Sequence, residues 1–169
     1  MNIVQEFEKI RDIPYRIPLS TTERDDCCSG KSEQLLKILK VAGHGARYRV
    51  CTFRWSDLNL PNWVEQVPHE NECTHTYIEI LLDGEWKIVD ATWDRGLKNI
   101  FAVNNNWDGR SNTEVAVPVR KLFSPKQSAE YMKRSATTDA IAEDLKKNGK
   151  FYEAFNRWLE TKRREPRTK

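Results

Sequence analysis

The chain has 169 residues and a formal net charge of +3 at pH 7, enough length for one domain with a real core. Six tryptophans, five tyrosines and six phenylalanines exclude a disordered chain away from the ends. No stretch approaches the roughly 20 apolar residues that span a bilayer, so no membrane partner is expected, and the net charge is too small to argue for nucleic acid.

In chain order, Met1–Lys9 reads as an amphipathic helix running to about Arg11. It lacks the basic-then-apolar layout of a secretory signal. A cytoplasmic protein is therefore expected, with its four cysteines as thiols rather than disulfides. Asp12–Leu19 is extended, because Pro14 and Pro18 disfavour helix in the residues before them. A polar loop leads from Ser20 to Asp26. A second helix spans about Cys28 to Ala42, with Leu35, Leu36, Leu39 and Ala42 at helical spacing and Gly43 as its stop. Arg47–Phe53 reads as a strand. The connection from Arg54 to Cys73 is long for a loop without work to do, and it is suited to walling a cleft. Strands His75–Leu82 and Glu85–Asp90 flank Asp83-Gly84, a strong hairpin signal. Leu97–Ser111 is turn-rich, Thr113–Val119 reads as another strand, and Ser124-Pro125 opens helical sequence. Further helices cover Ala140–Lys147 and Phe151–Arg164. Basic residues outnumber acidic ones about two to one from Arg120 onward. The end, Lys162–Lys169, is expected to be a solvated basic tail.

Three residues stand out as chemistry: Cys28, His75 and Asp90. With Asp83-Gly84 as the central turn residues, Leu82 pairs with Glu85, Tyr77 falls opposite Asp90, and His75 falls opposite Thr92. Period-two alternation then puts His75 and Asp90 on one face as diagonal neighbours, with Cα atoms roughly 7–8 Å apart and a His–Asp hydrogen bond in reach. A one-residue bulge would destroy this. Cys28 begins the second helix, where free N–H groups and the macrodipole lower a thiol's pKa. Cys28, Ser32, Leu35 and Leu39 lie along one side, so the thiol heads the buried stripe. The same N–H groups could steady an oxyanion, and small Ser29 and Gly30 would permit close substrate approach. Cys27 is the competing thiol. Asp94, of the same face parity, is the alternative orienter. Lys31 is expected to be a first-turn surface residue. Glu79 is either part of the site or a cross-strand charge partner.

Four segments in order resemble the transglutaminase-like superfamily of papain-like cysteine enzymes, in its prokaryotic single-domain form. They are Cys28-Ser29-Gly30-Lys31, Gly43-His44-Gly45-Ala46-Arg47, His75-Thr76-Tyr77-Ile78-Glu79 and Gly84-Glu85-Trp86-Lys87-Ile88-Val89-Asp90. The likeness covers about Ile13 to Trp93. It implies an α+β fold with the Cys-bearing central helix packed on an antiparallel sheet, here with additional C-terminal helices. The organisation expected is one domain over 1–169, with its core at about 13–120 and a helical extension at about 124–165. The likeness further implies that Cys28 is the nucleophile, His75 the base and Asp90 the orienter. The substrate would be a peptide, protein or small amide, and no cofactor or metal is called for. The acyl group would pass to water or, as the alternative, to an amine. Many relatives carry an upstream tryptophan as oxyanion donor, whereas the first tryptophan here is Trp55, so the second donor is unassigned.

Two other readings compete. Cys27, Cys28, Cys51, Cys73, His69 and His75 are zinc-ligand types, but their spacing is irregular and contains no Cys-x-x-Cys. A non-catalytic peptide- or RNA-binding module would use Trp55, Trp63 and Trp107 as exposed aromatics.

Overall fold

A computed structural model describes residues 1–165, and it is α+β. Four antiparallel strands form one sheet in the order β3-β2-β1-β4. They are β1 (Ala46–Arg54), β2 (Glu72–Leu82), β3 (Glu85–Val89) and the two-residue β4 (Lys121–Leu122). Five helices surround it: α1 (Ile3–Arg11), α2 (Cys28–Val41), the single turn α3 (Asn62–Glu65), α4 (Pro125–Ser135) and α5 (Thr138–Arg164). No helix among the described residues is long and apolar enough to cross a membrane.

The hairpin forms in the expected register, with Leu82 opposite Glu85 and Ile78 opposite Val89. Asp83 and Gly84 both take positive φ, 50° and 82°, as a two-residue turn matched to strand twist requires. Alternation along β2 then divides the core. Ile78 and Ile80 point towards Leu35, Leu36 and Leu39 of α2 and Phe7 of α1. Tyr77 joins Cys51, Phe53, Trp55 and Trp93 in a second cluster, closed by Phe151, Phe155, Trp158 and Leu159 of α5. Apolar side chains buried this fully contribute ~1.5–3 kcal/mol each, so α5 belongs to the same core as the sheet.

Local chemistry sets the helix ends. The Asn2 side chain accepts from the N–H groups of Val4 and Gln5 and starts α1. Ser124 and Gln127 form a reciprocal capping box at α4, with Pro125 in its first turn. Gly43, at φ 88°, follows the end of α2.

Three elements differ from the sequence expectation. Thr113–Val119 is not a strand, because its polar groups are taken by side chains. The Glu114 N–H donates to Asn104, the Ala116 N–H to Asp90, and the Trp93 indole donates to the Ala116 carbonyl. The two C-terminal helical segments are one 27-residue helix that runs through Gly149. The basic end is only partly free: Arg163 is held by Asp94 at 2.6 Å, while Pro166–Lys169 lie outside the described residues.

Candidate active site

Cys28 is the first residue of α2, and Cys27 occupies the cap position without a side-chain cap hydrogen bond. The first intrahelical bond runs from the Lys31 N–H to the Cys27 carbonyl at 3.0 Å. The N–H groups of residues 28–30 therefore lie outside the helix's own ladder. Two contacts fix this helix start. Ser32 Oγ donates to the Thr76 carbonyl at 3.0 Å, which pins α2 to β2 beside His75. Gly30 presses on the Asp25 backbone so closely that a Cβ would lie 1.9 Å from the Asp25 carbonyl oxygen. The lack of a side chain at Gly30 thus serves packing against Asp25, not substrate approach. Ser29, which lines the cleft, donates to Asp25 at 2.8 Å.

His75 is 2% exposed and Asp90 1%. The ring Nε2 donates to Asp90 Oδ2 at 2.7 Å, which leaves Nδ1 as the nitrogen free to meet the Cys28 thiol. That thiol sits beside the His75 ring and the Thr76 backbone, near enough for both to stabilise its thiolate. Asp90 is itself fixed by the Ala116 N–H at 2.8 Å and the Thr92 N–H at 3.0 Å. The ring and carboxylate are hydrogen-bonded and the sulfur lies beside the ring in one cleft, so the predicted trio is brought together.

The electrostatics favour an ion pair. A hydrogen bond from Cys27, working against burial and joined by the His75 ring, brings the Cys28 thiol down to about 5. Burial alone would depress His75, but the adjacent Asp90 carboxylate and the Cys28 sulfur outweigh it and raise the ring to about 10. Charge and hydrogen bonding from His75 hold Asp90 below its usual value despite burial. The other thiols move the opposite way. The hydrogen bond to Cys28, then burial, pushes Cys27 well up, and burial drives Cys51 and Cys73 to about 12. All four cysteines are unlinked. Near neutral pH only Cys28 is a thiolate.

The thiol opens onto a cleft of about 700 Å³. The 20–25 loop and the α4–α5 corner line it on either side, and aromatic residues such as Trp55 and Trp93 line its interior. Tyr15 lines it too. It is 6% exposed and its hydroxyl has no hydrogen-bond partner among the described residues. Burial, followed by the charges of Cys27 and Cys28, lifts its phenol well above the ordinary tyrosine value.

Lys31 departs from the surface position expected of it. Lys31 is 1% exposed, and its ammonium donates to the carbonyls of Arg11 at 2.9 Å and Thr92 at 2.8 Å. It ties α2 to the chain just after Asp90. Burial brings it down to about 8, against the pull of Asp94 and Asp90. Asp94 is no orienter of His75: it accepts from Arg163 and from the Tyr15 N–H. Glu79 is the cross-strand partner of Arg47 and Arg49, at 2.7 Å each. Trp55 and Trp107 are buried at 4% and 6%, whereas Trp63 is exposed. Sequence reasoning missed Lys31 and Tyr15. Only the short spacings from Cys28 could have hinted at either.

No group of three or more His, Cys, Asp or Glu among the described residues is arranged to hold a metal ion. Searches of family models, curated proteins and solved structures find no significant match to this chain.

Proposed function

We propose that this protein is a cysteine-dependent acyl-transfer enzyme that hydrolyses an amide or peptide bond, and that it belongs with the transglutaminase-like enzymes its motifs resemble. One observation carries the reading: the Cys28 thiol at a helix start that opens on a cleft, beside a His75 ring whose far nitrogen donates to the buried Asp90. The Cys28 thiolate attacks the carbonyl carbon, a C–S bond forms, and the carbonyl π pair moves onto oxygen. The Cys28 N–H and the unpartnered Tyr15 hydroxyl are the donors for that oxyanion. The oxyanion collapses, the C–N bond breaks, and His75 gives its Nδ1 proton to the departing amine. Water then attacks the thioester while Nδ1 takes its proton. The acid leaves, and the thiolate–imidazolium pair is restored. Asp90 keeps Nε2 protonated throughout and stabilises the ring's charge. A primary amine in place of water gives transfer instead of hydrolysis by the same steps.

The test is intact-mass analysis after exposure to a panel of amide, ester and thioester probes. A single acyl adduct on Cys28 is expected, absent in Cys28→Ala and formed at least a hundredfold more slowly in His75→Ala. Equal, sluggish labelling of all four thiols by a mild alkylating agent would instead mark a binding module without covalent chemistry.

A further inference from the structure

Resting on that reading, we infer that the cleft takes a cationic substrate, one carrying a primary ammonium or guanidinium group beside the acyl carbon that Cys28 attacks. The whole chain is positive, at +3, yet the cleft is lined by six carboxylates, Glu23, Asp25, Glu33, Glu70, Glu143 and Asp144, against two cations, Arg134 and Lys147. The thiolate–imidazolium pair adds no net charge to this balance.

The six are not equally free. Glu33 is spent on Lys37 at 2.6 Å, while Glu23 and Glu70 are loosely matched by Arg16 and Lys147, each at 3.7 Å. Asp25, Glu143 and Asp144 have no cation within ion-pair distance among the described residues. Asp144 is held by neutral donors alone, the Tyr152 hydroxyl at 3.0 Å and the Asn148 amide at 2.8 Å. Asp25 is likewise held by the Ser29 hydroxyl and the Cys27 N–H. Both bear on the thiol site: Asp144 is among the charges that raise Cys73 and Tyr131, and Asp25 among those that raise Cys27 and Tyr15.

Carboxylates fixed by neutral donors keep their full charge and are already oriented, so a bound cation need not order them. A concave wall of one sign also concentrates its field towards the opening. Tyr15, Tyr131 and Tyr152 share the lining, and aromatic rings attract ammonium and guanidinium groups. Tyr15 adds an independent sign of a ligand. It is 94% buried, and the hydroxyl is open to the cleft without a protein partner among the described residues. An anionic substrate would meet six carboxylates with only Arg134 and Lys147 to offset them.

Two measurements separate this inference from the reading it rests on. In the first, Cys28 is alkylated with neutral iodoacetamide in the presence of the amidated tetrapeptides Gly-Lys-Lys-Gly, Gly-Gln-Gln-Gly or Gly-Glu-Glu-Gly. The lysine peptide is expected to protect at a concentration at least tenfold lower than the glutamine peptide. That advantage is expected to shrink in high salt and in both Glu143→Gln and Glu143→Gln/Asp144→Asn, with melting curves confirming that the variants fold. Equal protection by all three peptides, or by none, overturns the inference. In the second, matched thioesters of lysine, norleucine and glutamate acylate Cys28. A tenfold preference for lysine supports the inference, and equal rates overturn it while leaving the acyl-transfer reading intact. Protection by the lysine peptide without acylation by any thioester supports the cationic site and removes the enzyme.

Discussion

At the scale of single residues, the Cys28–His75 pair makes a specific demand on pH. The thiol is at about 5 in the folded protein against an ordinary 9.0, and the ring at about 10 against 6.5. Between pH 5 and 9 the unfolded chain holds a proton on Cys28 that the folded chain has released, so this group alone makes stability rise with pH. Between 6.5 and 10 the folded chain holds a proton on His75 that the unfolded chain has lost, so the ring makes stability fall as pH rises. The two cancel between about 6.5 and 9. The pair's contribution should therefore climb from pH 5 to 6.5, stay level to pH 9, and decline towards pH 10. Denaturation midpoints across this range, taken as wild type minus Cys28→Ser/His75→Gln, should trace that plateau. A single sloping line would mean that only one of the two groups is shifted on folding. Iodoacetamide labelling of Cys28 should likewise rise with a midpoint near 5, well below that of the other three thiols.

At the scale of elements, the site depends on where α2 begins. Gly30 is the point of contact, since an added Cβ would meet the Asp25 carbonyl oxygen at 1.9 Å and its carbon at 2.6 Å. Both are backbone atoms, so no side-chain rotation relieves the clash. Gly30→Ala should cost about 1–3 kcal/mol as an overpacked contact and shift the first turn. The stabilisation that His75 gives the Cys28 thiolate should then weaken, and the labelling midpoint of Cys28 should move up towards that of an ordinary thiol. An unchanged melting temperature and midpoint would show that the 20–25 loop yields freely. The hairpin, by contrast, was legible from sequence, because Asp83-Gly84 fixes the register and register fixes which side chains share a face. That arithmetic alone brings His75 to Asp90. Helix α2 was legible from its leucines and from Gly43. The Thr113–Val119 segment was not, since its N–H groups meet side chains such as Asn104 and Asp90, and pairings of that kind leave no periodic trace. Lys31 misled for a related reason: its position in the first turn suggests solvent, and only the two distant carbonyls it meets explain its burial.

At the scale of the molecule, the cleft is closed by chain segments that lie far apart in sequence. The Tyr15–Ile17 stretch lines one wall, and α5 holds it there. Asn156, 4% exposed, accepts from the Ile17 N–H at 3.0 Å and donates to the Ile17 carbonyl at 2.8 Å, much as a neighbouring strand would. About two turns later along α5, Arg163 donates to the Tyr15 carbonyl at 2.9 Å and grips Asp94, which also accepts from the Tyr15 N–H. The C-terminal helix thus sets the position of the residue proposed to face the oxyanion. No local sequence pattern announces contacts 139 residues apart. Asn156→Ala removes both hydrogen bonds to Ile17 and leaves a buried N–H and C=O unmet, a loss of about 1–3 kcal/mol for each group left bare. Hydrogen exchange should quicken at Ile17 while the Lys31, His75 and Asp90 amides keep their protection. Acylation of Cys28 by a thioester should slow, whereas its alkylation by iodoacetamide, which needs only the thiolate, should hold. That split places the effect on the wall and its oxyanion donor. Parallel loss of both reactions would instead mean that α5 supports the thiol–imidazole pair directly.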